Sequence, residues 1–392
     1  MTPTALNLPS DQDISGRDFG RRERELLDEV LASGTLTCTK GTMVRRFEQA
    51  FAKRYDVPHA VANASGTAAV HCALGACGVG PGEEVITTPI TDMGAITPIL
   101  FQGATPVFAD VDPLTLNLTA ETIEAALTER TRAVIVTHLF GNPVVMDPIL
   151  ELVKRRGLFL IEDTAQAYLA TWKGKLVGSL GDIGCFSMQQ GKHICTGEGG
   201  LCITADESLR RKIKLFVDKA WGYGDPKPDH YFPALNYRIT ELQGAVALAQ
   251  LEKLEEVVRR RQESVEKFAT LMADLEQVGL PVVHPEATCS WWKVAIRIEQ
   301  PGTLDRLAEA LRRSGVPAAP RYIQKPAFDC QVLRDWYAQR GLGLRTGVDY
   351  QDRAEAYPGA YSGLSQVMVL AWNEFYTDAH VESIAAAIKE AV

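Results

Sequence analysis

Between residues 58 and 205, short apolar runs alternate with stretches whose apolar positions recur every three or four residues. Glu84–Thr88, Thr105–Phe108, Ala133–Thr137 and Leu158–Ile161 read as extended, and Ala68–Leu74 and Ala120–Leu127 read as helical. Such alternation implies βαβ units, and hence an α/β fold with a parallel sheet covered by helices. Ahead of it, residues 20–55 place Leu26, Leu27, Val30 and Leu31 on one helical face and Phe47, Phe51 and Tyr55 on another, an amphipathic N-terminal arm. From Glu241 to about Leu275 a long helical pattern turns Leu242, Ala245, Leu248 and Leu251 inward and bridges to a smaller α/β unit. That unit holds strand-like Lys293–Ile298 and helical Leu304–Leu311 and Val381–Ala391. The expected division is a large unit over residues 1–255 and a small one over 256–392.

Composition narrows the function classes. The 392 residues are 46% hydrophobic and 23% charged, ordinary material for two packed domains. A net charge of −8 offers no basic footprint for nucleic acid, and the run Arg259-Arg260-Arg261 reads as a solvated helix face. Apolar runs are far too short to span a bilayer, and the N-terminus lacks a basic-then-apolar leader. No membrane partner is therefore expected, and a cytoplasmic location is. Cysteines at 38, 72, 77, 185, 195, 202, 289 and 330 form no CxxC pair. They read as buried free thiols rather than as a metal site or a disulfide framework.

Four segments fall at strand ends or helix starts, where open α/β sheets bind ligands. Asn63-Ala64-Ser65-Gly66-Thr67 leads into a helix whose free N–H groups suit a phosphate, although Ser65 also fits a plain cap. Leu158-Phe159-Leu160-Ile161-Glu162-Asp163 ends an apolar strand in acid. Asp163 there is either a partner for a protonated pyridine nitrogen or a water-facing terminus. Lys192, reached from Ser187 and followed by Thr196-Gly197-Glu198-Gly199-Gly200, is either an imine-forming lysine or a surface residue before a tight turn. In the fourth segment, Asn236-Tyr237-Arg238-Ile239-Thr240-Glu241, either Asn236 or Thr240 caps the long helix.

Taken in order, the set resembles the sugar aminotransferases of the DegT/DnrJ/EryC1/StrS family. It comprises Ser33-Gly34-Thr35-Leu36, Phe47-Glu48, Ser65-Gly66-Thr67, Pro81-Gly82-Glu83-Glu84-Val85, Gly103-Ala104-Thr105-Pro106-Val107, His138, Gly141, Glu162-Asp163, Gln166, Ser187, Lys192, Thr196 to Gly200 and Asn236-Tyr237-Arg238. The resemblance implies an aspartate-aminotransferase-like fold (fold type I), a smaller C-terminal domain, and a homodimer with active sites shared across the interface. It implies pyridoxal 5′-phosphate as cofactor. Lys192 would form its imine, Asp163 would pair with its ring nitrogen and Gln166 would contact its hydroxyl. Ser65, Gly66, Thr67 and Ser187 would lie around its phosphate, with Asn236 reaching that group from the neighbouring subunit.

The implied reaction moves an amine from glutamate or glutamine to a keto-sugar or keto-cyclitol, in the biosynthesis of an amino sugar or aminoglycoside-like product. Ala371-Trp372-Asn373-Glu374-Phe375-Tyr376 and Asp218-Lys219-Ala220-Trp221 look most like the cyclitol branch. Arg321, Tyr322, Lys325 and Trp372 are candidates for the sugar pocket. One departure stands out: where many relatives stack an aromatic ring on the pyridine, this chain has Asp92-Met93. Either Met93 makes a polarizable contact and Asp92 alters proton transfer or binds an amine, or Asp92 faces solvent. The same pair motivates the rival reaction class of elimination, decarboxylation or oxidation on the same cofactor. A non-catalytic protein on this fold is the rival outside enzymes.

Overall fold

The computed structural model describes residues 6–300, 302–340 and 353–392. Helices α1 (Arg21–Ser33) and α2 (Met43–Arg54) form the N-terminal arm. The Glu23 carboxylate accepts from Gly20 N–H at 2.8 Å, which caps α1, and Gly34 at φ 67° ends it.

A seven-stranded sheet follows, built from β1 (His59–Asn63), β2 (Glu84–Thr87), β3 (Thr105–Phe108), β4 (Thr131–Thr137) and β5 (Phe159–Asp163). After a small hairpin, β6 (Thr171–Trp172) and β7 (Lys175–Leu176), it is completed by β8 (Ile183–Ser187) and β9 (Gly200–Thr204). The spatial order is β1-β9-β8-β5-β4-β2-β3, and only β9 runs against its neighbours. Within β4, Val134 and Val136 join one hydrophobic cluster while Ala133 and Ile135 join another. Both faces are covered, as an internal parallel sheet requires. The covering helices include α3 (Gly66–Ala76), α4 (Thr97–Phe101), α5 (Ala120–Ala126), α6 (Met146–Arg156) and α7 (Glu207–Val217).

Helix α8 (Glu241–Met272) starts with a reciprocal cap between Thr240 and Gln243, so of the two candidate caps Thr240 is the one used. Its first half packs Ala245, Leu248 and Leu251 against α1 and α2. Its second half gives Val265, Phe268 and Met272 to the C-terminal core. There an antiparallel sheet of β10 (Val278–Gly279), β12 (Lys293–Ile298), β14 (Val367–Ala371) and β13 (Ala318–Pro320), in that order, carries α9 (Thr303–Arg313) and the last helix, Asp378–Ala391. The two-residue β11 (Ala287–Thr288) pairs instead with the hairpin at β6. Contacts cross between the units. Leu6 and Leu8 pack on the C-terminal core, while Phe328, Leu333 and Tyr357 pack on the core beneath the large sheet.

The basic run at 259–261 departs from the solvated face expected of it. Arg259 and Arg260 are exposed and pair with Glu256, but Arg261 is 0% exposed. Position 261 points into the seam between α8 and the C-terminal sheet, where carbonyls and carboxylates saturate its guanidinium. Six of the eight cysteines are buried and all are free. No group of metal-ligating residues occurs among the described residues, and no helix there is long and apolar enough to cross a membrane.

Candidate active site

β1, β5 and β8 point the same way, so Asn63, Asp163 and Ser187 end at one rim of the sheet. From that rim Ser65 caps α3, its hydroxyl accepting from Ala68 N–H at 3.0 Å. Ser65 is therefore a cap, and the unused N–H groups of the first turn remain directed at the rim. Gly66 and Ser187 are pressed together: a Cβ on Gly66 would lie 2.8 Å from the Ser187 Cβ. Thr67, in the same turn, is exposed. Helix start and strand end thus share one small polar concavity with the donor chemistry a phosphate needs.

Asp163 is buried at the end of β5. Its carboxylate accepts from Ala165 N–H at 3.2 Å and has only a long contact, 3.5 Å, from the Thr137 hydroxyl. Burial raises its pKa against the opposing pull of the Ala165 N–H, Lys192 and His138. Such a carboxylate has unspent acceptor capacity for a cationic N–H donor. Beneath it, Glu162 is fully buried yet satisfied by Gly178, Leu180 and Gly181 N–H groups and by His138 Nε2 at 3.0 Å. His138 Nδ1 accepts from Val144 N–H at 3.1 Å, which leaves its proton on Nε2.

Lys192 lies in the loop between β8 and β9. Burial brings its pKa down to about 8, opposed by the negative charges of Asp163 and Asp92. The loop is held from outside. Arg17 donates to the carbonyls of Lys192, at 2.8 Å, and Gln190. From the C-terminal unit, Trp292 Nε1 donates to Gly191 O at 2.6 Å and its ring centroid lies 3.8 Å from Lys192 Nζ. Trp292 and Arg17 escaped the sequence reading, and Arg261 was expected on a solvated face. An aromatic pair ahead of a strand looks like core, and an arginine gives no sequence sign that it will be buried.

Gln166 accepts from Phe140 N–H at 2.8 Å, so its amide N–H₂ is left facing the Tyr322 hydroxyl at 3.5 Å. Tyr322 and Phe140 both adopt positive φ, 46° and 58°, and pack edge to face. Non-glycine residues held this way mark backbone fixed by its surroundings, a common property of functional sites. Asp92 is exposed and accepts from Gly94 N–H at 2.8 Å, but its charge still reaches Lys192, Asp163 and Tyr322. It therefore sits at the mouth, while Met93 is half-buried against the core beneath the sheet.

Of the expected sugar-pocket residues, Tyr322 is the one the structure brings beside Gln166. Arg321 pairs with Asp305 at 2.9 Å, and Lys325 is exposed. Trp372 belongs to the C-terminal core, its Nε1 donating to Ser264 at 2.8 Å and its ring packed on Phe268 and Tyr376. Asn236 is exposed beside Asp218 and accepts from Arg238 N–H. No hydrogen bond among the described residues joins it to Ser65, Gly66 or Ser187 of its own chain.

A half-buried amine of depressed pKa, a carboxylate with a free lone pair and a polar helix start at one rim are the donor set that fits pyridoxal phosphate. The sequence model of the DegT/DnrJ/EryC1/StrS aminotransferase family matches residues 17–388. The chain belongs to that family. It is 38% identical to a GDP-perosamine synthase of Caulobacter vibrioides over 303 residues, 76% of this chain and 81% of that protein. It is 38% identical to the L-glutamine:2-deoxy-scyllo-inosose aminotransferase of Streptomyces fradiae over 322 residues, 76% of this chain and 75% of that one. An aminotransferase structure from Psychrobacter cryohalolentis superposes with a TM-score of 0.85 at 30% identity, covering 96% of this chain and 97% of the other. A fold-type-I aminotransferase dependent on pyridoxal phosphate is the family's enzyme, and this chain has its architecture.

Proposed function

We propose that this enzyme transfers an amine from glutamate or glutamine to the keto group of a sugar or cyclitol. The observation that carries the reading is the Lys192 amine, with its pKa lowered to about 8, at the same rim as Asp163 and the Gly66–Ser187 concavity. Support for the sugar or cyclitol acceptor comes from relatives named for perosamine and scyllo-inosose chemistry.

Each residue then has a task. The first turn of α3 and Ser187 would hold the phosphate, with Asn236 completing that shell in the site of the second subunit of a homodimer. Its exposure leaves it available for this. Asp163 would keep the ring nitrogen protonated, and Gln166 would donate to the ring hydroxyl through the amide that Phe140 leaves free. When bound, the cofactor supplies an aldehyde that captures amines and a cationic ring that stabilises negative charge on the substrate carbon. Lys192 would bind the aldehyde, be displaced by the donor, and then move a proton between donor carbon and cofactor. A pKa of about 8 gives it both protonation states near neutrality. Product biosynthesis in the cytoplasm, of an amino sugar or aminoglycoside-like compound, completes the reading.

The test is a half-reaction screen, first of amino acids and then of keto-sugars and keto-cyclitols, read by cofactor absorbance. Donor addition should bleach the lysine-bound band, and keto substrate should restore it. The band should be missing from Lys192→Ala. Saturation with cofactor and no response to any donor would sink the proposal.

A further inference from the structure

Residues 6–17 touch both units and end in Arg17, which is buried. Its guanidinium donates to three backbone carbonyls. Nε reaches Asp11 O at 3.0 Å, and the two terminal nitrogens reach Lys192 O at 2.8 Å and Gln190 O. The rigid fork thus spans the carbonyls on either side of Gly191, one of them belonging to the reacting lysine. Gln190 returns the contact, its Nε2 donating to Asp11 O at 2.9 Å. The Lys192 amine itself makes no hydrogen bond among the described residues. Its place is therefore set by its own backbone and by the Trp292 ring, 3.8 Å away at the centroid.

The same segment is fixed to the C-terminal unit. Leu6 N–H donates to Ser314 O at 2.9 Å, and Leu6 and Leu8 pack on that unit's core. Asp11 pairs with Arg261 at 3.2 Å and accepts from Asn373 Nδ2, which also donates to Gly16 O at 3.1 Å. The approach is close enough to demand glycine at 16. A Cβ there would lie 2.4 Å from Ser10 O and 2.6 Å from Asn373 Nδ2. Buried polar ties of this kind, satisfied at both ends, hold a segment in one arrangement.

We propose that Arg17 is a positioning residue for Lys192, and that residues 6–17 form a strap through which the placement of the C-terminal unit reaches that amine. This deepens the role proposed for Lys192 and rests on it. While the fork grips both carbonyls, the loop stays seated and the amine stays where burial lowers its pKa to about 8. A loosened loop admits water, and the amine returns towards its ordinary 10.5.

The test reads the lysine itself in cofactor-free protein, through the pH dependence of its labelling by dinitrofluorobenzene. Peptide mass spectrometry resolves the site, with exposed Lys154 as internal reference. The Lys192 midpoint should rise from about 8 to about 9 in Arg17→Met, leaving about tenfold less free amine at pH 7. Arg17→Lys, which keeps the charge but not the fork, should give a smaller rise. Asn373→Ala changes no charge, and Asn373 has no hydrogen bond to the lysine loop among the described residues. It should still tighten proton binding at Lys192 about two- to threefold. Wild-type midpoints in both Arg17 variants overturn the positioning role. Full restoration by Arg17→Lys overturns it too, because charge alone then accounts for the effect. An unmoved midpoint in Asn373→Ala overturns the strap. Should circular dichroism show Arg17→Met unfolded, Arg17→Lys decides by its smaller rise. No donor or acceptor enters this assay. A protein with these shifts that binds cofactor but responds to no donor would sink the aminotransfer reading and leave the strap standing.

Discussion

Arg261 and Glu374 form an ion pair at 2.6 Å with both side chains out of solvent. The same guanidinium donates to the carbonyls of Trp292, at 3.0 Å, and Trp372, at 2.8 Å. One buried cation thus ties α8 to the strand start that carries Trp292 and Lys293. Removing one partner of a buried pair leaves the other uncompensated, at a cost of about 3–5 kcal/mol. Urea denaturation should show a loss of that order for Arg261→Leu. Arg259→Ala, on the exposed face, should stay within about 0.5 kcal/mol of wild type.

Lys192 gives stability a pH dependence of definite sign in the cofactor-free protein. Its folded pKa, about 8, lies below its ordinary 10.5, so between those values the unfolded chain binds more protons and stability rises with pH. Below about pH 8 both states are charged and the full penalty of burying the ammonium is present. Lys192→Met should therefore be more stable than wild type at pH 7, by on the order of 1–3 kcal/mol. Thermal melts should show that advantage shrinking as pH rises from about 8 to 10.5.

Gly66→Ala places a methyl 2.8 Å from the Ser187 Cβ, closer than such atoms pack. Alanine suits a helix start, so the fold should persist while the concavity closes. Equilibrium dialysis should show cofactor affinity falling by about tenfold or more, since one tenfold step needs only about 1.4 kcal/mol. Retained affinity would place the phosphate elsewhere.

Asp163→Asn exchanges a carboxylate for a neutral group of equal size. A ring nitrogen that is no longer held protonated withdraws less charge from the substrate carbon. Stopped-flow absorbance with donor should show the half-reaction slowed by about 10²–10³, the scale on which a single preorganised electrostatic partner acts. Cofactor binding through the Gly66–Ser187 concavity should remain.

The α/β alternation and the long helix at 241–272 were legible because each rests on a local period, and Asp163 and Ser187 stand where a strand end was expected, whereas Lys192 drew its expected role only from the ordered resemblance. β1 and β9 were not. His59-Ala60-Val61-Ala62-Asn63 is too short and too small in its side chains to declare a strand, and it becomes one by pairing with residues 137–145 positions away. Trp372 looked available for a sugar and is core, because the contacts that bury it come from α8 and the C-terminal helix. Trp292 acquires meaning only from its contacts with Gly191 and Lys192, and distance between units is invisible in one dimension.

The reversed strand β9 sets the order in which this protein can become an enzyme. β1 leads into the Ser65–Gly66–Thr67 turn, stands at the sheet edge and pairs with β9 alone among the described strands. β9 comes directly after the Lys192 loop. A growing chain must therefore emerge past residue 204 before its first strand has a partner, a closure of high contact order. Until then that turn and Lys192 belong to separate pieces. The zipping of β9 between β1 and β8 brings that turn and the Lys192 loop to one rim in a single step.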